Sequence, residues 1–258
     1  MNTLKTVSFA LLLALGFSTR AAHAQEWTRQ RFLLQRGDFE ITGDPARPDL
    51  MRVNMSRNSA FQPINFPVDF FWGVSDRVML GITHEVGPLF NTGLQNPRFR
   101  DHYNDTGFGS VIGLADGRNY EVDLHAGVPL HRLSPDIWVG AQIGVLGRAN
   151  FARNVALVYD PSLYFGLNHR DQGNGDGLDL PFWFYFQATD IVVPFVGSGL
   201  RGPLQRFGDN YAIPLEGGVL FTVGHGDHIG VDLEFPDLFG NNGTPRGRRL
   251  GFIGQFRF

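Results

Sequence analysis

The feature that most restricts this chain is a period-two alternation of apolar with small or polar residues, recurring in strand-length stretches between turn signals. Side chains of a strand point alternately to two faces, so a correct hairpin register sorts residue types on both strands at once. Ser75-Asp76-Arg77 as a loop pairs Val74 with Val78, Trp72 with Leu80 and Phe70 with Ile82. The opposite face then carries Asp69, Phe71, Gly73, Met79, Gly81, Thr83 and Glu85. A turn at Asp116-Gly117 pairs Val111 with Val122 on one face and Ser110 with Asp123 on the other. Around Gly224 to His228, Val223 meets Ile229, Phe221 meets Val231 and Val219 meets Leu233, leaving Thr222, Asp232, Glu234 and Glu216 opposite. A loop at Gln187 to Asp190 pairs Phe186 with Ile191, Phe184 with Val193 and Phe182 with Phe195.

The pattern places strands near 67–75, 78–86, 107–115, 119–128, 136–146, 155–167, 179–188, 190–200, 212–223, 228–239 and 249–258. A first strand within 32–57 brings the total to twelve; ten or fourteen stay open, because 32–43 and 49–56 both alternate. Composition agrees: 33 glycines and 15 prolines in 258 residues oppose a helical bundle, and 24 phenylalanines oppose disorder. The absence of cysteine excludes a disulfide scaffold, a thiolate metal site and a cysteine nucleophile. A formal charge of -3 offers no basic footprint for nucleic acid.

The N-terminus carries an export pattern: Lys5, an apolar run from Val7 to Phe17, and Ala22-His23-Ala24 before Gln25. Residues 1–24 are therefore expected to be a cleaved signal peptide, and 25–258 one β-domain. Lys5 is the only lysine, so the mature chain uses arginine alone as its strong base.

Alternation does not separate a soluble barrel, apolar inside, from a membrane barrel, apolar outside. Three other features favour the membrane form. The strands are about ten residues long, enough to cross hydrocarbon at a tilt. Short turns fall at one end and longer loops, near 87–106, 168–177, 201–210 and 240–248, at the other. Trp72, Tyr120, Phe184, Phe186 and Phe256 sit near strand ends, where interfacial aromatics gather. The expected fold is thus all-β, a closed antiparallel transmembrane barrel, with short turns on the periplasmic side.

The last strand, Arg249 to Phe258, alternates and stops on an aromatic residue. Here the chain resembles bacterial outer-membrane β-barrel proteins of porin-like type, without matching one specific family. The resemblance implies residence in the bacterial outer membrane, contact with its lipid and lipopolysaccharide, and recognition of Phe252, Phe256 and Phe258 by the barrel-assembly machinery. Ile253 stands where some versions of that signal have glycine.

The registers send Asp69, Glu85, Glu121, Asp123, His125, Glu216, Asp232, Glu234, Arg249 and Arg257 inward. Carboxylates predominate, and in a water-filled lumen they bias passage toward cations; alternatively they pair with arginines and knit the wall. The leading expectation is a passive channel for small hydrophilic solutes. A rival is a barrel lipid hydrolase or protease, since the Asp116-Gly117 register sets Ser110 opposite Asp123 and diagonal to His125. That rival lacks an identifiable oxyanion hole. A third reading is a structural or surface-interaction barrel with a filled lumen.

Weaker matches carry little. Gly197 to Gly202 fits a dinucleotide fingerprint but precedes Pro203 rather than a helix. The loop Asp171 to Gly177 misses EF-hand spacing, and His225, Asp227 and His228 read as a turn, so no metal and no cofactor is expected. Arg98, Arg100, Arg201, Arg206, Arg246 and Arg248 fall in the expected external loops, where guanidinium groups suit lipid phosphates.

Overall fold

The computed structural model describes residues 27–43, 49–56, 64–89, 103–131, 136–224, 226–241 and 247–258. Its strand segments merge into twelve antiparallel barrel strands. They are β1 (Phe39–Thr42 with Asp49–Ser56), β2 (Ile64–Pro67 with Asp69–Ser75), β3 (Val78–Leu89), β4 (Tyr103–Gly117), β5 (Tyr120–His131) and β6 (Trp138–Ala152). Next come β7 (Val155–Tyr159 with Ser162–Gly166), β8 (Gly177–Asp179 with Phe182–Phe186), β9 (Val192–Ser198 with Arg201–Pro203), β10 (Ala212–Thr222), β11 (His228–Gly240) and β12 (Gly247–Arg257). The two alternating stretches near the N-terminus therefore enter one strand, apart from residues 32–38, which stand outside the sheet.

Proline accounts for the breaks in β7 and β8, because Pro161 and Pro181 cannot donate to a ladder. Backbone bonds bridge them: Val145 N donates to Pro161 O at 2.9 Å and Asp160 N to Pro181 O at 3.2 Å. The sheet closes where β12 pairs with β1, through Phe252 with Met51 and Glu40 with Arg257. Closure leaves no barrel strand unpaired among the described residues, which a lipid-spanning sheet requires.

The β2–β3 hairpin has the expected pairs Phe70–Ile82 and Trp72–Leu80. Ser75 rather than Val74 faces Val78, because Val74 sits in a bulge. The β10–β11 hairpin is tighter than expected by two residues, pairing Phe221 with Ile229 and Val219 with Val231. A two-residue slip preserves every face, so the inward set is unaffected.

Two hairpins depart in parity. Between β4 and β5 the turn is Arg118-Asn119, not Asp116-Gly117, and a bulge at Leu114 places Val111 opposite His125 and Ser110 opposite Ala126. Gly117 does not adopt the positive φ that an Asp-Gly hairpin turn uses. Between β8 and β9 the connection is longer, so Phe184 pairs with Val196 and Tyr185 with Phe195. Phe182 and Phe186 stay outward, but Val193 and Phe195 turn inward and are buried.

The outer face exposes Trp72, Leu80, Ile82, Phe108, Ile143 and Val231 among many large apolar side chains. In water such a belt would drive association; against acyl chains it is the solvated surface. At the short-turn end Trp72, Tyr120, Phe151, Phe186 and Phe258 lie exposed, as an interfacial girdle does. The inner face also departs from the expected polar-or-small pattern: near the turns it carries Met79, Val111, Leu146, Val158, Tyr185, Val193 and Leu220, all buried.

Candidate pore and its plug

What buries those inner residues is the chain's own N-terminal segment. Trp27–Arg29 form one 3-10 turn, and residues 30–36 follow without regular structure. Trp27, Phe32, Leu33 and Leu34 are each no more than 4% exposed. Burial of such side chains contributes roughly 1.5–3 kcal/mol each. The Trp27 ring lies 3.9 Å, centroid to centroid, from Tyr185, and its neighbour His228 presents an edge at 6.5 Å.

A buried segment outside the sheet must find partners for its peptide groups, and charged inner-wall side chains provide them. Glu121 accepts from Phe32 N at 3.0 Å and from Leu33 N at 3.4 Å. Arg148 donates to Gln30 O and, at 2.8 Å, to Glu121, with its guanidinium 5.1 Å from the Phe32 ring centroid. Arg257 donates to Arg31 O at 2.7 Å and to Glu40. Gln30 meets His228 Nε2 at 2.5 Å and donates to Gly226 O at 3.2 Å. At Gly73 the segment passes so close that a Cβ would lie 1.9 Å from Gln35 O, so only glycine fits. The segment turns back toward β1 at Gly37, whose φ is 94°.

The ten expected inward residues fall into two groups. Glu121 and Arg257 hold the segment, and Asp123 is buried beside them, opposite Gly113 and Leu146. The others lie further toward the long loops. Glu216 accepts from Trp183 Nε1 at 3.1 Å, Arg249 reaches Glu234 at 3.5 Å, and His125 Nε2 lies 2.7 Å from Asp160. Asp69 accepts from His84 N at 3.2 Å, and Asp232 packs against Gly251. Glu85 lies in β3 opposite Asp105, with its side chain outside the described set.

Ser110 does not join Asp123 and His125. Its partners Leu80 and Ala126 place it on the outer face, whereas Asp123 and His125 are on the inner one. The bulge at Leu114 reverses the parity on which the hydrolase arrangement depended.

Above the plug, Asp160, Asp179, Glu216 and Glu234 with Arg201, Arg249 and Trp183 line a cavity of about 230 Å³. A second, of about 130 Å³, lies among Asp69, Phe71, Thr83, Val111 and His125, and Gln142 and Asp160 border both. Arg201, expected in an external loop, instead sits in β9 and bonds Pro236 O at 2.7 Å and Asp237 at 3.1 Å. Sequence reasoning missed the plug, Arg148, Glu40 and Asp160. The available signals were the apolar cluster Phe32-Leu33-Leu34 shortly after the cleavage pattern and the unalternating run Phe182 to Phe186, which announces two apolar faces.

At the long-loop mouth, the segment 167–176 folds against the wall. Asn174 is buried; it donates to Asn168 O at 2.7 Å and Val139 O at 3.0 Å and bonds the Tyr164 hydroxyl. Asp176 pairs with Arg170, and that hydrogen bond holds its carboxyl below the usual range. His225 lies outside the described residues, while Asp227 caps Arg257 N and His228 faces Gln30. Among the described residues no three His, Asp or Glu side chains gather as a metal site. Gly197 to Gly202 runs from β9 through its break, as a strand end.

No protein-family model matches the sequence, and no curated protein matches it. Solved structures do match in fold. The KdgM porin superposes with a TM-score of 0.55 at 9% identity, over 86% of this chain and 99% of that one. The KdgM porin in complex with disordered oligogalacturonate gives 0.56 at 10%, with the same coverage. The NanC porin gives 0.55 at 9%, over 80% of this chain and 97% of that one. Closed twelve-strand topology, an outward apolar belt and these likenesses define the class by its fold: a twelve-stranded antiparallel β-barrel with the architecture of the KdgM and NanC porins. At such identities the kinship is one of fold.

Proposed function

We propose that the protein is a passive outer-membrane channel for small hydrophilic solutes, with a preference for cations. The observation that carries this reading is the polar interior above the plug, where four carboxylates and two arginines share one cavity. Fixed carboxylates in a low-dielectric wall raise the local concentration of cations and repel anions. The KdgM structure with oligogalacturonate is that of a porin with an acidic oligosaccharide; the acidic excess around this cavity favours the opposite charge. In a planar bilayer under a salt gradient, the reversal potential should show cation preference. Anion preference would overturn the selectivity, and absence of conductance both in the full chain and after its N-terminal segment is loosened would overturn the channel itself.

The buried plug favours a second reading, a non-conducting barrel that presents a solute-binding cup to the exterior. The same bilayer measurement separates the two. The aromatic terminal strand ending in Phe256 and Phe258 supports recognition by the barrel-assembly machinery. Arg206 and exposed Arg248, toward the long-loop end, support contact with lipopolysaccharide phosphates. Loss of lipopolysaccharide binding on Arg206→Ala and Arg248→Ala would bear that out, and unchanged binding would remove it.

A further inference from the structure

The barrel wall closes without the segment 27–36. β1 pairs with β12 on one side and β2 on the other, and no residue of the segment enters either ladder. Its departure therefore breaks no interstrand hydrogen bond. The segment is held to the wall through side chains, and the first backbone-to-backbone bonds to the wall, Gly37 N to Gly73 O at 2.8 Å and Gly73 N to Asp38 O at 2.9 Å, lie just after it, so the segment has a natural pivot at Gly37.

Charge complementarity explains why it docks. The segment brings Arg29, Arg31 and Arg36, and the wall around it offers Glu40, Asp76, Asp116, Glu121 and Asp123 against Arg148 and Arg257, an acidic excess. Arg31 lies 3.7 Å from Asp116 and 3.9 Å from Glu121, and Arg36 N is 3.4 Å from Asp76. The docked state is also imperfectly satisfied: one carboxylate oxygen each of Glu40 and Asp123, and Arg148 Nε, are buried with no hydrogen-bond partner. Water entering on opening would satisfy all three, which lowers the cost of leaving.

We propose that residues 27–36 are a displaceable gate, docked at the turn end to shut the barrel and swinging about Gly37 to open it. This rests on the channel reading.

The test compares the full chain with its Trp27→Ala/Phe32→Ala variant in planar bilayers, after circular dichroism has shown both folded. The variant should conduct several-fold more, and a synthetic peptide of residues 25–36, added on the turn side, should close it again. The peptide carrying the same two alanines should not. Equal conductance of both chains with no response to peptide overturns the gate and leaves the channel standing. Silence of both folded chains overturns the channel reading and the gate with it. Should the double variant not fold, Thr28→Cys in the full chain decides, since the chain has no other thiol and Thr28 is fully buried. Modification by an impermeant thiol reagent in step with channel opening supports the gate; conduction with the introduced thiol unmodified overturns it.

Discussion

Glu121 accepts from two backbone amides of the N-terminal segment and from the guanidinium of Arg148, so one carboxylate both orders the plug and neutralises a buried charge. Removing one partner of such a pair leaves the other buried and unpaired, at a cost of about 3–5 kcal/mol. Glu121→Gln should therefore loosen the segment, read as faster tryptic cleavage after Arg29 and Arg31 in reconstituted vesicles. At the opposite mouth, Asp176 has its carboxyl depressed in the folded state by Arg170. A depressed carboxyl stabilises the fold above its unfolded pKa, and that contribution is lost as pH falls through the lower folded value. The hold on residues 167–176 should accordingly persist at neutral pH and weaken only in acid, below the ordinary carboxylate range. Amide exchange of Asn174 against pH checks this, and Asp176→Asn should show the acid behaviour at pH 7.

β8 and β9 show how an element accommodates a large inward ring. A Cβ on Gly197 would lie 2.1 Å from Trp183 Cδ1, so the glycine gives the indole room to reach Glu216. Gly197→Ala should displace that ring and cost about 1–3 kcal/mol of overpacking, measured as a lower thermal midpoint with altered tryptophan emission. At the seam, Phe258 exchanges backbone bonds with Phe39 at 2.8 and 3.1 Å while its side chain stays exposed. Deleting Phe258 should lower the yield of outer-membrane barrel in fractionated cells. Element existence was legible because alternation is a local property: all eleven strand positions read from the pattern correspond to barrel strands. Register was legible in β2–β3 away from its turn and to within two residues in β10–β11, and was missed at β4–β5, through the bulge at Leu114, and at β8–β9, through a longer connection. The two-residue slip at β10–β11 left Glu216, Asp232 and Glu234 inward, whereas the bulge at Leu114 moved Ser110 outward.

Twelve strands set the scale of the whole molecule. About eight strands enclose an interior that side chains fill, and 16–18 leave an aqueous channel. Twelve fall between, so a short inserted segment can shut one end while a polar cavity persists above it. Asp160 and Asp179 border that cavity. Asp160→Asn/Asp179→Asn should shift the reversal potential toward zero selectivity without unfolding the barrel, checked beside circular dichroism. An unchanged potential would move the selectivity elsewhere in the interior.

Residue order alone was enough for the all-β class, eleven of the twelve strands and the outward apolar belt, because each follows from side-chain periodicity along single strands; it left the count open between ten and fourteen. It also held the signs of the plug, in Phe32-Leu33-Leu34 and in the unalternating run at Phe182 to Phe186. That these belong together became visible only in three dimensions. Trp27 meets Tyr185, and Phe32 meets Glu121 and Arg148, across sequence separations that no periodicity encodes. The same long-range contacts turn Glu121 and Arg257 from pore charges into ligands of the chain's own peptide groups. The physical reason is that alternation states which face a residue occupies, while barrel closure states what occupies the space that face encloses.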